Sequence, residues 1–145
     1  MNNVMIKVMF VSGDDTLRSV MAKEIFKRLN GDKSEVFSSG IMAKNGTGPS
    51  QTCIDVCKSH GIDVSNHGAT HFRDSNIEDM DVVLTFDELH NDKIRVYYPQ
   101  LEIKTLDQFI REHFDIPNPK VEDFDEYDDC FNRLCHILKH IDLER

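Results

Sequence analysis

Apolar residues recur along this chain at two spacings, and the switches between them outline the elements. Residues 7–11, Lys-Val-Met-Phe-Val, are apolar after the first position, as expected of a strand covered on both faces. Met21, Ala22, Ile25, Phe26 and Leu29 follow at helical spacing, with Lys23, Glu24, Lys27 and Arg28 turned outward. Gly31-Asp32 turns the chain, and residues 35–39 predict a second strand stopped by Gly40. Residues 43–49 read as a Gly-rich surface loop. Residues 51–60 predict a helix with Cys53, Ile54 and Cys57 inward and Gly61 as its C-terminal cap. After a connection at 62–70, residues 72–80 read as a short helix carrying Ile77 and Met80. The nearly all-apolar stretch 81–86 is a third strand, and 88–97 a helix. A short fourth strand is expected at 102–106 and a helical turn at 107–113. Pro117 and Pro119 fix a loop at 115–122. The pattern is clearest at 124–143, where Phe124, Tyr127, Phe131, Leu134, Leu138 and Ile141 form one stripe. Its acids (Asp125, Glu126, Asp128, Asp129) come first and Lys139 and His140 last, the order a helix dipole favours.

Strands alternating with helices predict an α/β fold: a doubly wound, four-stranded parallel sheet with helices on both faces, in one domain over residues 1–145. In such a sheet the site lies beyond the carboxyl ends of the strands. Ser12 stands at one such end and Asp87 at another. Residues 12–18 link the first strand to the first helix, whose free amides would face the loop, which is how a chain builds an anion site.

Charge narrows the partners. A net charge of −9 argues against nucleic acid and anionic membrane surfaces, and makes an anionic substrate less welcome. No apolar run reaches the length of a membrane span, and with residues 1–3 running straight into the first strand no signal peptide is expected. Cys53, Cys57, Cys130 and Cys135 lie within helical patterns, not in a disulfide framework, and are expected to be reduced thiols of a cytoplasmic protein.

The loop reads Ser12-Gly13-Asp14-Asp15-Thr16-Leu17-Arg18-Ser19. It resembles the phosphate loop of the low-molecular-weight protein tyrosine phosphatases and the related arsenate reductases, Cys-x-Gly-Asn-x-Cys-Arg-Ser. Further stretches continue the resemblance in order: Ser38-Ser39-Gly40, His60-Gly61-Ile62-Asp63 with His67 after it, 80–87, Tyr98-Pro99-Gln100-Leu101, and Asp115-Ile116-Pro117-Asn118-Pro119. The last is similar to the family's Asp-Ile-x-Asp-Pro. The resemblance covers nearly the whole chain and implies the family's fold. It also implies catalytic positions at Ser12, Arg18 and Asn118, with Gly13, Asp14, Asp15, Thr16, Leu17 and Ser19 completing the phosphate loop.

At those positions two groups differ from what the family's chemistry needs. A thiolate attacks phosphorus there, an arginine clamps two phosphoryl oxygens, and an aspartate protonates the leaving oxygen. Here a serine and an asparagine stand at the first and last of these positions. Without a gap Asp14 takes the family's glycine and Asp15 its asparagine, although Gly13 would also allow a one-residue shift. Two like charges 4 Å apart repel by about 4 kcal/mol at an effective dielectric of about 20, so loop carboxylates weigh against binding phosphate or phosphotyrosine. Asp14, Asp15, Leu17 and Asn118 depart together, which points to a naturally altered site and not to one engineered exchange. Arsenate reduction is excluded, because 85–92 holds no resolving cysteine.

The sequence therefore leads to a non-catalytic binding or regulatory module with an unknown protein partner, no cofactor and no metal. Two alternatives stand beside it: a residual phosphate-monoester hydrolase using Ser12 and Arg18, and a divalent-cation module on Asp14, Asp15 and Asp87. His136 and His140, four apart, are read as solvated side chains, and Ser12 as a turn residue bonding its own backbone. Arg18 is expected to be paired with Asp15 or, failing that, Asp14, closing the loop on itself.

Overall fold

The computed structural model describes residues 5–143, so residues 1–3, read above as the lead-in, fall outside it. Strands β1 (Ile6–Ser12), β2 (Ser34–Gly40), β3 (Val82–Thr85) and β4 (Ile103–Thr105) form one sheet in the order β2-β1-β3-β4. All three pairings are parallel. Helices α1 (Arg18–Asn30), α2 (Gln51–Ser59), α3 (Glu88–Tyr97), α4 (Leu106–Ile110) and α5 (Phe124–Leu138) complete the fold.

Alternation along β1 creates two cores. Val8 and Phe10 face a cluster with Val20, Phe26, Val56 and Leu134, brought by α1, α2 and α5. Met9 and Val11 face the opposite cluster, with Phe72, Ile77, Val83 and Ile94. Because both neighbours of β1 are bonded to it and both of its faces are covered, a polar residue finds room only at its end. That residue is Ser12, and since the chain leaves β1 for β2 on one side and β3 on the other, Ser12 marks the point where crossovers diverge.

Several boundaries differ from the pattern. Residues 72–80 form two separate 3-10 turns, Phe72–Asp74 and Ile77–Asp79. Ser75 breaks them: its hydroxyl donates to the Phe72 carbonyl at 2.5 Å and accepts the Ile77 amide at 3.2 Å, competing with a continuous helix. The last helix stops at Leu138, where the His140 and Ile141 amides reach only three residues back. Phe124 and Leu29 are exposed, so the apolar stripes are one residue shorter at those ends. The four cysteines are unpaired, three of them buried. Among the described residues no helix is long and apolar enough to cross a membrane.

Gly40, at the end of β2, holds the loop after β1 in place. A methyl group there would lie 2.7 Å from the Gly13 carbonyl oxygen and 2.9 Å from the Asp15 amide nitrogen, both backbone atoms. Beside it, the Ile41 and Met42 amides donate to the Ser12 and Gly13 carbonyls at 3.0 and 2.7 Å. Gly40→Ala is expected to destabilise the fold by about 1–3 kcal/mol through overpacking, read from urea denaturation midpoints.

Candidate functional site

The loop between β1 and α1 is built around Asp15. This residue is fully buried and takes a left-handed backbone conformation, φ 59°, which aspartate tolerates better than most side chains. Its Oδ1 accepts a hydrogen bond from the Ser19 hydroxyl at 2.7 Å, and its Oδ2 accepts the Thr70 amide at 3.0 Å. The His67 Nε2–H donates to the Asp15 carbonyl at 2.9 Å and lies 3.6 Å from Oδ2. The His67 Nδ1, 3.4 Å from the Lys23 ammonium, is then the acceptor of that contact. Donors converge on both carboxylate oxygens, so an ionised acid suits the position.

Proton counting fixes the next link. An ionised carboxylate only accepts, so Ser19 gives its single hydroxyl proton to Asp15. The Ser19 oxygen is then the acceptor of the 2.7 Å bond from the Ser12 hydroxyl. Ser12 is 2% exposed and Ser19 0%. The chain of donors thus runs from Ser12 through Ser19 to Asp15. Ser12 bonds a side chain seven residues on, and not its own backbone as the sequence suggested.

Arg18 opens α1, and its partners correct the expectation of a closed loop. Nη1 donates to the Ile116 carbonyl at 3.2 Å, and the guanidinium lies over the Phe86 ring, 5.0 Å from its centroid. Nε is buried with no acceptor among the described residues. Arg18 pairs with neither Asp15 nor Asp14. Asp15 is already taken by Ser19 and Thr70, while Asp14 is exposed and accepts the Thr16 amide at 3.2 Å. Burial pushes the Arg18 guanidinium below its ordinary pKa, with Cys130, Asp87 and Asp14 pulling the other way. Burial also raises the Cys130 thiol to about 11, against the pull of Arg18.

Among the loop amides from Gly13 to Ser19, none donates to a backbone carbonyl outside regular elements, and only that of Thr16 has a side-chain acceptor, among the described residues. Leu17 stands at the N-cap of α1 without a side-chain cap, leaving the helix's first amides open. Beside the loop lies a cavity of about 580 Å³, lined by Arg18, Phe86, Asp87, Asp107, Asp115 and Asn118, among others. Asp87 caps α3, accepting the Leu89 amide at 2.9 Å.

The carboxylates proposed for a cation do not converge. Asp15 is buried in its own network, Asp14 binds Thr16, and Asp87 binds Leu89. Among the described residues no three His, Cys, Asp or Glu side chains are grouped to hold a metal ion. His136 and His140 lie edge to face, 5.6 Å between ring centres.

The sequence reading left His90 out. It is buried on α3 with an unpartnered Nδ1, and burial first, then Arg18, lower its pKa from the usual 6.5. The folded state therefore binds fewer protons here than the unfolded chain. This contribution to stability is whole above about pH 6.5 and is lost as pH falls below it. His90→Gln is expected to flatten the fall in melting temperature between about pH 7.5 and 5.5.

The four-stranded parallel α/β fold agrees with the comparisons. The family model for low molecular weight phosphotyrosine protein phosphatase matches residues 7–142. The chain belongs to this family. A low molecular weight protein-tyrosine-phosphatase of Staphylococcus epidermidis, PtpB, is 27% identical over 93% of this chain and 96% of its own length. An arsenate reductase of the same species is 33% identical, over 54% of this chain and 57% of its own. The low molecular weight phosphatase of T. tengcongensis superposes with a TM-score of 0.84 at 28% identity, covering 93% of this chain and 96% of that one. The arginine phosphatase YwlE, solved as a cysteine-to-serine mutant with a phosphorylated active-site serine, gives 0.85 at 23% identity over 93% and 92% of the two chains.

Proposed function

We propose that this family member binds a phosphoryl group without turning it over. Ser12 and Asn118 stand where the family's motifs place the nucleophilic cysteine and the acid. A hydroxyl does not ionise near neutral pH as a loop thiol does, and an amide has no acidic proton to give a leaving group. The observation that carries the reading is Arg18, whose half-buried guanidinium has no carboxylate partner among the described residues and one orphaned buried nitrogen. Of the two carboxylates that weighed against phosphate at the sequence level, Asp15 is engaged by Ser19 and Thr70, and Asp14 is exposed and accepts the Thr16 amide. Several open loop amides add the donors an anion requires.

Asp87, Asp107 and Asp115 line the adjoining cavity, favouring a phosphoryl group carried on or beside a positively charged side chain. Two of the structural neighbours are arginine phosphatases, and phosphoarginine has that charge pattern. The hydrolase alternative is served by the Ser12–Ser19–Asp15 chain, which offers a base but no acid. The cation alternative loses Asp15 to its own partners.

Millimolar inorganic phosphate is expected to raise the melting temperature, and Arg18→Ala to remove the rise. Phosphoarginine should protect at lower concentration than phosphotyrosine. An unchanged melting temperature in phosphate would overturn the reading.

A further inference from the structure

We propose that Ser12 is a phosphoryl acceptor, taking the group from a small acyl phosphate and keeping it as phosphoserine. This rests on the anion-binding reading above and adds to it a covalent step.

Both hydrogen bonds of the chain from Ser12 Oγ through Ser19 Oγ to Asp15 Oδ1 are 2.7 Å. Their direction is set by the carboxylate, which can only accept. A proton can therefore leave Ser12 in two short hops, Ser12 to Ser19 and Ser19 to Asp15, and the base at the end is fully buried and held by Thr70 and Ser19. A hydroxyl nucleophile needs such an adjacent base. With an asparagine at position 15, as in the family's motif, the terminal base would be missing.

The donor follows from what the site lacks. Asn118 cannot protonate a departing oxygen, so the leaving group must depart as a stable anion. An acyl phosphate meets that condition, because its leaving group is a carboxylate. The Ser12 Oγ–P bond forms and the P–O bond to the acyl oxygen breaks. The carboxylate departs with that electron pair, and the hydroxyl proton ends on Asp15. Arg18 and the open amides would hold the transferred oxygens. Release would then require a water activated in line with the Ser12 oxygen, on the side the acyl group left, and the Asn118 amide there is no base for it, so the ester accumulates.

The test uses acetyl phosphate as donor and intact-protein mass as readout. The expected result is a gain of one phosphoryl group, located on Ser12 by peptide mapping. It should survive hydroxylamine, which would strip an acyl phosphate formed on Asp14, Asp15 or Asp87. Ser12→Ala should abolish the gain. Ser19→Ala should slow it roughly a hundredfold, whereas Ser19→Thr, which keeps the hydroxyl, should stay near the parent. Asp15→Asn, which removes the terminal base, should slow the gain to an extent similar to Ser19→Ala. No mass gain in a protein whose phosphate response is intact would overturn covalent capture alone. A gain unaffected by Ser12→Ala, or one lost to hydroxylamine, would overturn it equally. Loss of the phosphate response itself would instead overturn the anion-binding reading.

Discussion

Multiple turnover of an aryl phosphate between pH 5 and 8 is expected to lie at least about four orders of magnitude below that of a thiolate-bearing relative. Two losses set the size. Replacing the thiol by the Ser12 hydroxyl and the acid by Asn118 each removes roughly two orders or more, and groups acting in one step do not add simply. Asp15 can take the proton of Ser12 but nothing returns one to the leaving oxygen. Release of p-nitrophenolate beyond one equivalent, abolished by Ser12→Ala, would show that the loop still turns substrate over. Release limited to one equivalent agrees with capture at Ser12.

Ser12→Cys alone is expected to leave the protein inactive, and the reason lies in the direction of a hydrogen bond. A loop thiolate is stabilised by donors. Ser19 cannot be one, because its proton belongs to Asp15. The introduced sulfur would face a lone pair on Ser19 and, behind it, a buried carboxylate, and both raise the thiol's pKa. Alkylation by iodoacetamide, corrected for the parent's own cysteines, should show a thiol titrating at or above about 8.5. Adding Asp15→Asn frees the Ser19 proton to point at sulfur and should lower that value. Adding Asn118→Asp supplies the acid, and measurable turnover is expected first in this triple variant. Asp14 need not change, since it is exposed and bonded to the Thr16 amide. Robust turnover by the single variant would show that Asp15 does not command the Ser19 proton.

The loop's residues and the fold around them were legible in the sequence for the same physical reason. A doubly covered strand must be apolar along its length, so 7–11 and 81–86 announced themselves, and helical spacing announced α1, α2 and α5. Six motifs in family order then located the phosphate loop. Where competition was local, the pattern misled: Ser75 interrupts 72–80 through hydrogen bonds of its own, and Phe124 and Leu29 lie at helix ends that the core does not reach. His90 carried no signal at all, because burial without a partner is a property of its neighbours.

What the sequence determined by itself is the frame: four parallel strands, the loop from Ser12 to Ser19, and a serine and an asparagine within two of the stretches that resemble the family's motifs. What only the tertiary structure decided is where the charges go. Proximity along the chain put Asp15 next to Arg18, and pairing them looked natural. The fold instead brings the Thr70 amide, 55 residues away, against one oxygen of Asp15, and turns Ser19 onto the other. Ser19 is fully buried and Thr70 half-buried, and both donors would cost free energy if left unmet, whereas Arg18 can rest on a carbonyl and an aromatic face. The carboxylate therefore goes to those donors, and the guanidinium is left without a carboxylate partner among the described residues.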